Sequence, residues 1–166
     1  MQYSAEELND VLEWLHNLDE DALADIVDKV ADENPHLLEY VMSDDALTLG
    51  ENEAEVVLFI AIVFYKTVER KKGSVEPIEQ DDIDHLQDAN WKLFEGAEHK
   101  TADEMGDYVD EIVEKYSEPE FLYYILDALE DEGQEEGEEG DLGIEETAKI
   151  PMFIMLKTVA DALLAD

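Results

Sequence analysis

The chain has no cysteine. That excludes a disulfide framework, a thiolate metal site and a thiol nucleophile. Cations are nearly as scarce: 10 basic residues stand against 47 acidic ones in 166, a formal net charge of -37. Such a surface repels phosphate, which argues against nucleic-acid binding through a basic footprint and against binding to anionic lipid. It attracts basic proteins, polyamines and divalent cations. Long apolar runs are missing too. The longest, residues 56–65, is flanked by Glu55 and Lys66 and falls short of the roughly 20 residues a membrane span needs. The opening Met1-Gln2-Tyr3-Ser4-Ala5-Glu6-Glu7 has neither a basic nor an apolar leader region, so no secretory signal is expected and the expected location is cytoplasmic.

What is present is enough to build a core. About 45% of residues are hydrophobic, more than an acidic disordered chain carries. The apolar residues recur with helical period. Leu8, Val11, Leu12 and Leu15 share one face of a first helix, with Ser4 as N-cap and Glu7 completing a capping box. Asp19 caps a second helix carrying Leu23, Ile26, Val27 and Val30. Pro35 opens a short third helix through Val41. After Gly50 a fourth helix runs over about 51–70, and its 56–65 stretch is apolar on all sides, which predicts burial all round. Pro151 is expected to start or kink a second apolar helix beginning at Met152.

The pattern then repeats. Residues 23–30 match 105–112, residues 35–42 match 119–126, Lys66-Thr67-Val68 matches Lys157-Thr158-Val159, and Glu55 is answered by Glu146. Four blocks in one order predict an internal duplication. The expected fold is all-α: two duplicated three- or four-helix units, 1–73 and 81–166, related by a pseudo-two-fold axis and integrated into one domain. Residues 74–80 link them, and the second unit carries an acidic loop at 130–141. The cluster Arg70-Lys71-Lys72 at the linker complements a helix C-terminus.

Candidate chemistry is thin. Glu13-x-x-His16, Glu33-x-x-His36 and Asp82-x-x-His85 have the carboxylate–histidine spacing of di-iron bundles, but acids are so common here that the spacing carries little. The loop read from Glu135 resembles a calcium loop only in part. Gly137 supplies no side chain where the third ligand belongs, so only weak divalent cation binding is expected at 130–141. No serine sits in a Gly-x-Ser-x-Gly elbow. The chain gives no sign of a catalytic residue, a cofactor or a selective metal site.

The polar residues kept by both units are the remaining candidates: Asp25 with Asp107, Asp28 with Asp110, and Lys66 with Lys157. Either the lysines end buried helices and pair with these aspartates to fix unit geometry, or the six line a symmetric groove between units. Trp14 and Trp91 lie on amphipathic helices as candidate anchors for a partner. The expected function is a noncatalytic interaction or regulatory protein, immunity- or inhibitor-like, whose acidic surface binds a basic protein. The alternative is an acid-adapted stable domain, as in a salt-loving host, with a small-molecule or cation site that the sequence does not reveal. Arg70, the only arginine among mostly lysine cations, weakens that alternative.

Overall fold

The computed structural model describes residues 3–42, 51–95, 102–128 and 146–164. The acidic segment 130–141, with its cation-loop reading, lies outside them. The described residues are all-helical, with no strand among them. We number the helices α1 Ala5–His16, α2 Glu20–Glu33, α3 Pro35–Val41, α4 Glu51–Lys72, α5 Gln80–Leu93, α6 Ala102–Lys115, α7 over 119–128 and α8 Glu146–Leu164.

Local chemistry sets the helix ends. Ser4 accepts from the Glu7 N–H while the Glu7 carboxylate accepts from the Ser4 N–H, so two end donors are satisfied at once. Asp19 accepts from the Ala22 N–H at the start of α2. Pro35 opens α3, where its missing N–H costs nothing. Gly73 closes α4 with φ of 91°, a left-handed conformation that favours glycine. Pro151 does not start α8, which begins at Glu146. It lies in the second turn, where its missing N–H leaves the Thr147 carbonyl without the usual bond.

Two apolar helices form the centre, α4 and α8, packed on each other. Every residue from Ala61 to Val68 is buried, as is every residue from Met152 to Ala160. A helix buried on all faces needs neighbours on all sides. Helix α1 covers α4 with Leu8, Val11 and Leu15, and α5 covers α8 with Ile83. Short α3 packs on α2, α4 and α5. Burying each large apolar side chain contributes about 1.5–3 kcal/mol before entropy is counted. Thr67 and Thr158 are buried on the two central helices, and each donates its hydroxyl to the carbonyl one turn back, Val63 and Ile154.

Contacts also join segments far apart in the sequence. The Tyr3 N–H donates to Glu118 at 2.9 Å, just before α7. The Ile78 N–H donates to Asn34 Oδ1 at 2.7 Å, just before α3. The Tyr3 ring meets Phe121 edge-on at 5.1 Å, and Phe64 of α4 meets Phe121 at 4.8 Å and Tyr124 at 5.8 Å. Such edge-on pairs each add about 0.5–1.5 kcal/mol beyond area burial.

Candidate functional site

The densest polar constellation lies inside, between α5 and α8. Asn90 is 3% exposed on the inner face of α5 and Lys157 is 9% exposed on α8. The Lys157 ammonium donates to Asn90 Oδ1 at 2.8 Å and to Asp161 Oδ2 at 3.1 Å. Asn90 Nδ2 donates to Thr158 Oγ1 at 2.9 Å and to Asp161 Oδ2 at 3.0 Å. The Tyr116 hydroxyl donates to the other carboxylate oxygen of Asp161 at 2.6 Å, and Lys157 lies 5.1 Å from the Tyr116 ring centroid. Burial first, then the Asp161 charge, pushes the Tyr116 hydroxyl well above the usual phenol range. That hydroxyl stays protonated near neutral pH and is no base. Asp161 accepts three hydrogen bonds, one on Oδ1 and two on Oδ2, which fix its carboxylate in place. The network ties α5, α8 and the segment after α6 together.

A second polar group sits on α4. Tyr65 donates to Glu33 at 3.1 Å and accepts from Asn34 Nδ2 at 3.1 Å. Desolvation, with the Glu33 and Glu69 charges adding to it, pushes its hydroxyl up to about 12. Lys66, beside it, pairs with Glu69 at 2.8 Å.

The lysines therefore find partners other than those expected from the sequence. Asp25, Asp28, Asp107 and Asp110 are all exposed. They make no ion pair with Lys66 or Lys157, whose acids come from their own helices one turn on. The structure brings Lys66 and Lys157 to the central helices and leaves the four aspartates on the outer faces of α2 and α6. Trp14 and Trp91 are both exposed. The Arg70 guanidinium lies over the Trp14 ring at 4.9 Å, which keeps the ring apolar on one side only.

Asn90 and Glu118 escaped the sequence reading. Asn90 lies between Ala89 and Trp91 in a polar stretch, yet it falls seven residues after Ile83, on the same helical face. That period was the available signal. Glu118 precedes Pro119 as Asn34 precedes Pro35, so each is a buried polar residue just ahead of a proline.

Among the described residues no three His, Asp or Glu converge on a point that could hold a metal ion. His16 stacks on Phe59 at 5.3 Å, and His85 lines a cleft. That cleft, of about 890 Å³, lies beside the 74–78 connection, with Val68, Ala162 and Leu163 among its apolar walls. Lys72 and His85 share its lining with Glu76 and Asp82, so the cleft favours neither sign of ligand. No helix among the described residues is long and apolar enough to cross a membrane. The chain matches no family model, and no curated protein or solved structure is significantly similar to it.

Proposed function

We propose that the chain is a noncatalytic interaction module whose acidic exterior binds a basic protein partner. One observation carries this reading: the protein does not neutralise its own charge. Lys66 and Lys157 are held in the interior, and Lys71 and Lys115 form surface pairs with the chain's own Glu7 and Glu111. Asp25, Asp28, Asp107 and Asp110 meanwhile face solvent with no ion pair among the described residues. Uncompensated carboxylates steer cations inward and accelerate encounter with a basic surface.

The test uses an oligolysine peptide and two variants of equal charge. One carries Asp25→Asn, Asp28→Asn, Asp107→Asn and Asp110→Asn. The other carries Asp10→Asn, Glu13→Gln, Asp81→Asn and Asp88→Asn, all exposed positions on α1 and α5. Titration calorimetry at low salt is expected to show the first variant binding about tenfold more weakly than the second, near 1.4 kcal/mol. Equal losses would mean that only net charge matters and that α2 and α6 form no binding face.

We further propose that 1–73 and 81–166 are two copies of one unit, joined by 74–80 and related by a pseudo-two-fold axis. The paired features support it: α1 on α4 against α5 on α8, Thr67 against Thr158, and the two crossing hydrogen bonds at Asn34 and Glu118. An experimental structure in which Leu23–Val68 and Met105–Val159 adopt different helix packing would refute it.

A further inference from the structure

We infer that the face joining the two units is a self-sufficient, subunit-type interface, and that a second copy of the chain can fill it by exchanging units to give a domain-swapped dimer. The inference rests on the division into two units proposed above, though not on their resemblance to each other.

The contacts between units have the composition of an obligate interface. Its middle is the packing of α4 on α8, whose stretches 60–68 and 152–160 are buried and apolar apart from Lys66, Thr67, Lys157 and Thr158. Beside it Tyr3, Phe64, Phe121 and Tyr124 interlock edge to face, with rings drawn from both units. Either unit alone would expose this surface, far beyond the patch a soluble monomer tolerates.

The crossing hydrogen bonds make the match specific. The N–H ahead of α1 goes to Glu118, and the N–H ahead of α5 goes to Asn34. Both acceptor residues are buried. A unit that lost its partner would exchange both bonds for bonds to water. Only a surface presenting the same groups restores both, and a second copy of this chain presents them.

The connection between units touches that face through Val75 and Ile78. Gly73 ends α4, and Ser74, Glu76 and Pro77 are exposed. Its first bond to the other unit comes at Ile78. Residues 74–77 can redirect the chain to a neighbour by giving up the packing of Val75 on the core. Exchange of identical elements otherwise keeps every contact and alters only chain entropy, which makes it a low-cost route to dimers.

Two measurements test this on the whole chain. In the first, a protease site is placed between Gly73 and Ser74, and the protein is cut after folding. The halves are expected to stay together at 1:1 with unchanged helical circular dichroism. Unfolding and refolding with a 15N-labelled sample is expected to give hybrid masses by native mass spectrometry. Separation of the halves, or loss of helicity on cutting, would overturn the inference. In the second, Ser74, Val75 and Glu76 are deleted, removing about 10 Å of reach. The expected result is a doubled mass by light scattering with unchanged helicity. A folded monomer would overturn exchange. If the shortened chain does not fold, the cut protein alone decides. Structural likeness of the units is read by superposition, so likeness and self-sufficiency can fail separately.

Discussion

Lys157 lies in a run of buried residues on α8, and its charge is tolerated there because Asn90, Asp161 and the Tyr116 ring surround the ammonium. Removing one partner leaves the other charge without compensation. Asp161→Ala is expected to lower stability by about 2–4 kcal/mol, a little under the fully buried range because the pair keeps some solvent contact. Glu111→Ala, which breaks the exposed Lys115 pair, is expected to leave the urea midpoint unchanged. Equal effects would mean that the interior pair is solvated. The tyrosines give a pH signature. Tyr65 and Tyr124 are pushed up to about 12, chiefly by burial, and Tyr116 higher. A phenol whose folded pKa is raised contributes stability that is complete below its ordinary value near 10 and is lost as pH rises toward 12. Phenolate absorbance from these three is therefore expected to appear only as helicity falls between pH 10 and 12. At the acid end, Lys71 and the Ser4 backbone hold the Glu7 carboxyl below its ordinary 4.5. Its contribution is present above 4.5 and fades as pH drops through the lower, folded value. These interior partnerships were only partly legible in the sequence. The Lys157–Asp161 spacing is a readable one-turn pair, but Asn90 looks like surface until the period from Ile83 is counted.

The elements were more legible than their partnerships. Ser4 with Glu7, Asp19 and Pro35 mark helix starts by local chemistry alone, and the structure starts helices at all three, with side-chain caps at the first two. The apolar stretch 56–65 reads as buried on every face because nothing polar interrupts it, and it is buried from Ile60 onward. Ile60→Ala and Ile154→Ala are each expected to cost about 2–5 kcal/mol, since both side chains are buried in the central pair and would leave cavities. Denaturant melts check this, and a loss under 1 kcal/mol at either site would mean that the central helices repack freely. Ser4→Ala removes one half of the capping box and is expected to cost about 1 kcal/mol. What the sequence did not disclose is contact at long range. Tyr3 and Glu118 are 115 residues apart, and no local pattern in either segment announces the other.

At the scale of the whole molecule, the net charge of -37 sits on a surface where Asp25, Asp28, Asp107 and Asp110 are exposed and outside the ion pairs. Like charges crowded on a compact body oppose folding, and the repulsion acts through solvent. Salt shortens the Debye length from about 10 Å at 0.1 M to about 3 Å at 1 M, so repulsion is the part of the energy that salt removes. The buried Lys66 and Lys157 pairs are screened far less. The proposed function depends on the same fact, because carboxylates already paired have nothing to offer a basic partner. The direct test is a series of thermal melts from 0.1 to 1 M NaCl. A melting temperature that climbs steadily with salt is the predicted result. A temperature that stays flat or falls would mean that the acidic residues are already paired or ion-bound, and it would contradict the open acidic surface on which the proposed function rests.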